Sequence, residues 1–423
     1  MKIKKIIGYQ VLDSRGRPTV ATTISLSDGS SHTARVPSGA STGAHEAREL
    51  RDKGGKFEES FYAGLSVNEA INNINQVIAP QLVEEIVDLE SIDNLLTKLD
   101  PTADHSHLGA NATLAVSLAT SIAAAHSQNR SLARFFQPES PLTIPMPMVN
   151  ILSGGAHANK AMDIQDLLVV PIGAKTFTQA LSWIVAIREV SASLGKQSGH
   201  ITNLIADEGG LAIKFDQIDK ACEFVITAIE KVGLEVGKDV KLALDIAATQ
   251  FYESGNYNLI NAEKSYTSDQ FVSYILDLVN NQPIISIEDP FAEDDWQSWQ
   301  KFTHLAPKKL QVLGDDLLTT NQSRLNRAIE EKSANSILIK ANQNGLITST
   351  LNVLRHARAN NFNTVVSARS GENEDSWLAD LATGWGAGQI KVGSTHGSER
   401  NSKWNRLLEL EIVESTRFIN PFN

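Results

Sequence analysis

The chain is poor in cysteine, aromatic residues and long apolar segments, and it has too few cations to balance its acids. Its one cysteine, Cys222, cannot form an internal disulfide, which favours a reducing compartment and predicts a cytoplasmic protein. The longest run of small apolar residues, LAVSLATSIAAAH, is too short and too polar to cross a bilayer. The net charge of -11 argues against nucleic-acid binding, because neutralising phosphates requires a basic face.

What remains is typical of a soluble enzyme with two or more domains, since 42% of the 423 residues are hydrophobic and 21% are charged. Residues 3 to 36 alternate as strands do, and residues 44 to 128 have the composition of helices. The proline-rich segment SPLTIPMPMVN is interpreted as a linker. We therefore predict an N-terminal α+β domain over residues 1–135 and a second domain over residues 136–423.

The second half of the chain repeats a different pattern, in which short apolar runs alternate with amphipathic helices. The runs are KLALDIAA, PIISIEDP, LQVLGDD, SILIKANQ, TVVSARSG and QIKVG. One helix is indicated by Ile218, Cys222, Val225 and Ile229, which places Cys222 on its apolar face, and another begins after the capping candidate Thr267. Buried strands that alternate with helices predict βα units and a (β/α)8 barrel, with a doubly wound open sheet as the alternative.

Each of these apolar runs ends in a polar residue. Taken singly, each is typical of a solvated charge just past a strand. In a barrel, however, the carboxyl ends of the strands all point into one mouth, so these side chains are expected to converge on one site. In chain order the residues are Asp245, Glu288, Asp315, Lys340, Arg369 with Ser370, and Lys391.

These residue types predict a particular chemistry. Three carboxylates on adjacent strands, with neither cysteine nor a histidine cluster, favour Mg²⁺ or Mn²⁺ over zinc. Lys340 would lie beside the metal, whose charge would lower the pKa of the lysine and make it a base. Arg369, Ser370 and Lys391 would hold a phosphate or a carboxylate. The combination indicates proton abstraction next to a carboxylate, through a metal-stabilised enolate.

A base on one side of the substrate requires an acid on the other. The segment IADEGG places Asp207 and Glu208 before a glycine pair. Glu208 is the candidate general acid, provided that burial and nearby carboxylates raise its pKa. The alternative is an acidic turn with no role in the reaction.

The loop PSGASTG contains a G-x-S-x-G pattern at Gly39, Ser41 and Gly43. Such a pattern can form the nucleophile elbow of a hydrolase, but here it follows a half-exposed strand and no partner histidine is marked by its context. A flexible lid over the site fits better, and a plain surface turn is the alternative. His157, in SGGAHANK, is by itself typical of a structural loop histidine.

In this order, the motifs DSRGRPTV, PSGASTG, DEGG, SIEDP, GDDL, SILIKANQ, ARSGE and GQIK resemble those of enolase, from about residue 3 to residue 412. The resemblance implies an N-terminal α+β domain packed on an atypical barrel that begins ββαα. It implies the glycolytic dehydration of 2-phospho-D-glycerate to phosphoenolpyruvate, with two Mg²⁺ ions in each substrate-bound site. A homodimer or an octamer is the implied assembly.

The resemblance also implies a role for each matching residue. Lys340 would take the proton from C2, and Glu208 would assist departure of the C3 hydroxyl. Lys391 would hold the carboxylate region of the substrate, and His157 would lie on a mobile loop near the phosphate. The tighter magnesium would be bound by Asp245, Glu288 and Asp315. The phosphate and the second magnesium would be contacted by Arg369, Ser370 and Ser41.

Three positions depart from the family pattern. Asp166 stands where the family usually has Glu, near Glu208 and the departing hydroxyl; Gln250 also replaces a Glu, and Ala368 replaces a His of the substrate wall. The departures leave two alternatives to 2-phosphoglycerate dehydration. One is an enolase-like enzyme of a phosphonate or secondary-metabolite pathway, of the carboxyphosphonoenolpyruvate synthase type. The other is a non-catalytic binding or scaffold role.

Overall fold

The computed structural model describes residues 1–39, 43–55, 62–139 and 141–422. The first part of the chain forms an antiparallel sheet of β1 (Ile3–Leu12), β2 (Pro18–Leu26) and β3 (Ser31–Arg35), in that order. Helical segments follow: α1 (Asn68–Asn72), a π-helical segment (Asn73–Ile78), α2 (Ala79–Leu82), α3 (Leu89–Leu99), α4 (Ala110–Ser127) and α5 (Leu132–Phe136). Small residues dominate α4, so it can lie buried close against the sheet.

The rest of the chain alternates strands and helices. Its strands are β4 (Leu142–Ile144), β5 (Met146–Ser153), β6 (Asp166–Val170), β7 (Lys241–Asp245), β8 (Tyr252–Glu253), β9 (Asn256–Leu259), β10 (Lys264–Thr267), β11 (Ile284–Glu288), β12 (Gln311–Gly314), β13 (Ser336–Ile339), β14 (Asn363–Ser367), β15 (Gln389–Gly393) and β16 (Thr416–Phe418). Its helices are α6 (Phe177–Gln197), α7 (Ile218–Lys231), α8 (Ser268–Asn281), α9 (Trp296–Leu305), α10 (Gln322–Glu331), α11 (Ala341–Asn344), α12 (Ile347–Ala359), α13 (Trp377–Gly384) and α14 (Ser398–Val413).

Eight of these strands close into a barrel in the order β11-β12-β13-β14-β15-β5-β6-β7. The chain enters it through β5, β6, α6 and α7, and β6 runs antiparallel to both of its neighbours. The predicted barrel with a ββαα start is therefore confirmed, and the open doubly wound sheet is wrong. Within the described ranges, no helix combines the length and hydropathy that a bilayer crossing requires.

Local signals in the sequence account for several element boundaries. Helix α7 contains the predicted apolar stripe. Helix α8 is capped by Thr267, whose hydroxyl accepts a hydrogen bond from the backbone N–H of Gln270 in a capping box. The segment expected as a linker instead contains β4 and the first half of β5. Most side chains of these two strands are buried, Ile144 and Met148 among them, which is not expected of a solvated linker.

The barrel interior is a packed core and not a pore. At three strands an apolar side chain of this core lies two residues before a site residue, as Leu313 precedes Asp315 and Leu338 precedes Lys340. The members are Met146, Met148, Leu168, Val170, Ala243, Ile285, Leu313, Leu338 and Val365. This core closes the barrel below its mouth and leaves the polar side chains at the carboxyl end of the strands.

Helix α3 of the N-terminal part is tied to the barrel by a buried carboxylate. Asp93 accepts hydrogen bonds from the backbone N–H (3.0 Å) and the hydroxyl (2.7 Å) of Thr348, in the first turn of α12. An acceptor at this position satisfies free N–H groups of the helix end and interacts favourably with the helix dipole.

We expect Asp93→Ala to lower the free energy of unfolding by about 1–3 kcal/mol, because two donors of Thr348 at the start of α12 lose their buried acceptor. The measurement is the urea midpoint of unfolding, followed by circular dichroism. Asn94→Ala, at the neighbouring exposed position of the same helix, is the control and should leave the midpoint unchanged. Equal midpoints for Asp93→Ala and the wild type would contradict the assignment.

Candidate active site

A small polar cavity, with free space of about 20 Å³, lies at the carboxyl end of the parallel barrel strands. The predicted site residues that line it are His157, Glu208, Asp245, Asp315, Lys340, Arg369, Ser370 and Lys391. Asp166 and Glu288 lie buried beside them, in contact with His157 and Lys391 respectively. Ser41 lies outside the described residues.

The strands deliver these side chains in slightly different ways. Asp245 and Glu288 end β7 and β11, whereas Asp315 and Lys340 directly follow β12 and β13. Lys391 is in the middle of β15, so the expectation that every site residue lies at a strand end was wrong for this lysine. Its long side chain nevertheless reaches the mouth of the barrel from inside.

Two lysines neutralise the three carboxylates that were predicted to bind metal. The Nζ atom of Lys391 donates to Asp245 Oδ2 and to Glu288 Oε2, both at 2.7 Å. Lys340 Nζ donates to Asp315 Oδ2, whose other oxygen accepts from Gln343 Nε2 at 2.8 Å. The three carboxylates thus divide into a pair around Lys391 and a single group beside Lys340.

The acidic groups at the mouth have the chemistry of a hard-cation site. In the described part of the chain, two groups of three ionisable side chains place their ligand atoms within 4.8 Å of one another. One group is Asp289, Asp315 and Asp316; the other is His157, Asp166 and Glu208. Burial and the charge of Asp245 raise the pKa of Glu288 well above its ordinary value, a crowding that a bound cation would relieve. Buried carboxylate oxygens fit Mg²⁺ or Mn²⁺.

Asp289 was missed by the sequence reasoning, although it directly follows Glu288 in SIEDP. Its buried carboxylate accepts hydrogen bonds from the backbone N–H groups of Asp315 (2.9 Å) and Asp316 (2.8 Å). Its own φ of 40° lies in the left-handed region, which is unusual for a residue other than glycine. Asp289 therefore fixes the turn that carries Asp315.

Gln250, one of the departures from the family pattern, belongs to a chain of amides that ends at a candidate metal ligand. Its Nε2 donates to Gln165 Oε1 at 2.5 Å, and Gln165 Nε2 donates to Asp245 Oδ2 at 3.1 Å. Its Oε1 accepts from the backbone N–H of Ala156 at 3.1 Å. A neutral amide at position 250 can donate to Gln165, which an ionised Glu could not do.

The expected ionisation of Lys340 is not what the structure shows. Burial opposes its charge, but the carboxylates of Asp315 and Glu288 outweigh burial, so the pKa of Lys340 is raised above its ordinary value. The expectation of a lowered pKa assumed a neighbouring cation, whereas the nearest partner here is a carboxylate. In this arrangement Lys340 is an ammonium group.

The pKa of Glu208 also differs from the prediction. Its Oε1 accepts from Ser370 Oγ at 3.4 Å and lies 3.6 Å from His157 Nε2, while its Oε2 accepts from Asn150 Nδ2 at 3.2 Å. Burial favours the neutral acid, but the charges of His157 and Arg400, together with two lysines, lower the pKa of Glu208 to about 2. The expectation of a raised pKa was wrong because these cations come from distant segments.

His157 is held in the cavity by a buried carboxylate. Its Nδ1 lies 2.9 Å from Asp166 Oδ2, and its Nε2 lies 3.0 Å from Ser370 Oγ. The hydroxyl of Ser153 donates to the other oxygen of Asp166 at 2.6 Å. Burial opposes the imidazolium, but Glu208 and Asp166 raise the pKa of His157 to about 9.

Arg369 is paired with a residue that the sequence reasoning did not single out. Its Nη1 and Nη2 donate to the two carboxylate oxygens of Glu46 at 2.8 and 3.2 Å, and Nη1 also donates to Asn342 Oδ1 at 3.0 Å. Glu46 lies just after the expected lid loop and also accepts from Gln343 Nε2 at 3.3 Å. The N-terminal domain therefore supplies a buried charge to the barrel mouth. In the sequence, only the position of Glu46 three residues after Gly43 could have indicated that it belongs to the site.

The DSRGRPTV motif is also explained by the structure. Ser38 and Gly371 exchange two backbone hydrogen bonds, at 2.9 and 3.0 Å, and the hydroxyl of Ser38 donates to Asp13 Oδ2 at 2.7 Å. A Cβ atom at Gly371 would lie 2.3 Å from the same Asp13 oxygen and 2.4 Å from Arg15 Nη2, so any side chain there would displace these two groups. These contacts hold the loop that follows Ser370.

A closed barrel with buried carboxylates, two lysines and an arginine at its mouth, joined to an N-terminal α+β domain, defines a barrel enzyme that acts on a small molecule. The family model for the enolase N-terminal domain matches residues 3–136, and that for the enolase C-terminal TIM barrel domain matches residues 141–418. The chain belongs to the enolase family, and it is a lyase-type enzyme with acidic groups that could bind a metal.

The buried ion pairs predict an unusual titration for His157. In protein prepared without divalent cations, its imidazole should lose its proton near pH 9. A raised folded-state pKa means that the stabilisation is complete below the ordinary value of about 6.5 and is lost as the pH rises through about 9. The measurement is ¹⁵N NMR of labelled histidine, with the signal assigned by its loss in His157→Gln.

His396 provides an internal control for this titration. Burial and the charge of Arg188 lower its pKa, so its signal should change below pH 6.5 while that of His157 stays constant. Titration of His157 at or below its ordinary value would show that the pairs with Asp166 and Glu208 do not form in solution.

Proposed function

We propose that this enzyme is a magnesium-dependent enolase that reversibly dehydrates 2-phospho-D-glycerate to phosphoenolpyruvate, as a cytoplasmic homo-oligomer in glycolysis. The observation that carries the proposal is that Lys340 and Glu208 open onto one cavity, together with Arg369 and a set of buried carboxylates. Membership of the enolase family supports it.

In the substrate, the reaction breaks the C2–H and C3–O bonds and forms the C2=C3 double bond. Lys340 Nζ takes the proton from C2, and the electron pair of that C–H bond is held in the enolate before it becomes the C2=C3 double bond. The C3–O bond breaks, Glu208 gives its proton to the departing hydroxyl, and water leaves. Mg²⁺ held by Asp245, Glu288 and Asp315 would supply positive charge to the substrate carboxylate as the enolate develops.

The lysine requires a change of partner before it can act. An ammonium group cannot accept a proton, so the ion pair between Lys340 and Asp315 has to be replaced when the reactive complex forms. We propose the same for Lys391, which would release Asp245 and Glu288 and hold the substrate carboxylate. Both lysines can then act on the substrate, because their carboxylate partners bind other groups in the reactive complex.

The proposed anion holders line the same cavity. Arg369 and Ser370 would contact the phosphate, and the buried Asp166 would orient His157 beside it. Ser41 is proposed as a further phosphate and magnesium contact. Because Glu46 occupies two nitrogens of Arg369, we propose that this carboxylate shifts when the phosphate binds.

We expect the wild-type enzyme to convert 2-phosphoglycerate with Mg²⁺, seen as growth of the ultraviolet absorbance of the enol product, and to stop when a chelator is added. Lys340→Ala should lower the rate by about 10²–10⁴-fold or more, because it removes the base. Lys309→Ala, an exposed lysine before β12, is the matched control and should keep full activity. Folded protein with no magnesium-dependent turnover would refute the proposal.

One observation favours a second candidate. Ala368 is only 5% exposed and lines the cavity, so a methyl group forms the wall where the family has an imidazole. Asp166 is one methylene shorter than the usual Glu. An enolase-like enzyme that acts on a bulkier or phosphonate-bearing acid would use the space that these two positions leave.

The double variant Ala368→His with Asp166→Glu separates the candidates. For a 2-phosphoglycerate enolase, we expect kcat/KM to change by less than about tenfold, equivalent to about 1.4 kcal/mol, because the proposed acid and base are untouched. The assay compares 2-phosphoglycerate with a phosphonate analogue in wild type and variant, after the unfolding midpoint has confirmed folding. A large gain on 2-phosphoglycerate would instead favour the second candidate.

A further inference from the structure

Asn150, which none of the motifs marked, lies beside the candidate acid. It is on β5 and is completely buried, and its Nδ2 donates to Glu208 Oε2 at 3.2 Å. Its Oδ1 is also buried and has no hydrogen-bond partner among the described residues. A buried amide oxygen left unpaired costs free energy, so this arrangement requires a reason.

The neighbours of Glu208 differ in whether they can reverse their hydrogen bonds. His157 is held protonated between two carboxylates, so its Nε2 donates to Ser370 Oγ. The hydroxyl of Ser370 then directs its own proton to Glu208 Oε1. This chain runs in one direction, and it offers donors to Glu208 but no acceptor for a proton on the carboxyl group.

Asn150 can provide that acceptor. A half-turn of its amide about the Cβ–Cγ bond exchanges Nδ2 and Oδ1, which places the oxygen against Glu208 Oε2. Because Oδ1 has no partner on the other side, the rotation breaks only the bond to Glu208. A protonated Glu208 makes that bond again with the donor and acceptor reversed.

We propose that Asn150 is a positioning residue for the acid step, which donates to the Glu208 carboxylate and, after a half-turn, accepts from the protonated Glu208 carboxyl group. The inference rests on the proposed dehydration. In that reaction Glu208 must hold a proton near C3 of the substrate, although the donors around it favour the ionised carboxylate. Asn150 supplies the acceptor that the protonated carboxyl group needs.

Two rates test this role separately. Deuterium incorporation at C2 of recovered 2-phosphoglycerate in D₂O reports on Lys340, whereas phosphoenolpyruvate formation also requires Glu208. In Asn150→Leu, which removes the amide at similar volume, we expect product formation to fall about 10²-fold. C2 exchange should stay within about threefold of wild type, so the ratio of exchange to product formation rises. A merely structural role would lower both rates in parallel.

A conservative variant and a control complete the design. Asn150→Asp keeps the shape and an acceptor oxygen, so its ratio should lie closer to wild type than that of Asn150→Leu. Asn111→Leu removes a buried amide that bonds only the backbone of Leu50, far from the cavity, and should leave the ratio unchanged. If Asn150→Leu does not fold, Asn150→Ala takes its place, with folding checked by the unfolding midpoint.

The outcomes are distinct. A parallel loss of both rates in Asn150→Leu, or product formation equal to wild type, overturns the role of Asn150 while the proposed function stands. A wild-type enzyme that neither exchanges the C2 proton nor forms phosphoenolpyruvate refutes the proposed function, and the inference about Asn150 falls with it.

Discussion

The ion pairs of Lys391 are the interaction on which the barrel mouth depends. Three groups, each at most 5% exposed, meet there: one ammonium and the carboxylates of Asp245 and Glu288, at 2.7 Å each. Two carboxylates buried this closely would repel each other strongly if they were left uncompensated, and breaking a buried pair costs about 3–5 kcal/mol. A lysine in the middle of β15 reaches both because the barrel closes around it.

Charge compensation also joins the two domains. The buried guanidinium of Arg369 pairs with the carboxylate of Glu46, and Glu46 comes from the segment that leads into the N-terminal helices. On the same loop, the backbone bonds between Ser38 and Gly371 and the carboxylate of Asp13 fix the next turn. The candidate anion site is thus assembled from both domains, so a change in how they pack would displace its guanidinium.

Much of this arrangement could be predicted from the sequence, because barrel strands bring their carboxyl ends to one mouth whatever their spacing along the chain. The barrel and most of the cavity residues follow from the apolar runs and the polar residues that end them, and the ββαα start follows from the resemblance to enolase. The pKa shifts of the site residues could not be predicted in that way. The pKa of Glu208 is lowered by Arg400 and Lys391, which lie on segments remote from IADEGG, and the pKa of Lys340 depends on which partner it meets. Glu46 and Asn150 have roles that only tertiary contacts reveal.

The lowered pKa of Glu208 is consistent with an acid if the substrate is counted as part of the site. Two of the cations around Glu208, His157 and Lys391, are groups proposed above to lie against the phosphorylated substrate, so they favour an ionised Glu208 most strongly before it binds. The negative charges of the substrate would offset those cations and raise the pKa of Glu208 towards its ordinary value. In such a site the anionic substrate completes the electrostatic balance under which its own general acid can hold a proton. Asn150 is then the neighbour that can adapt its hydrogen bond to either state without any change in charge.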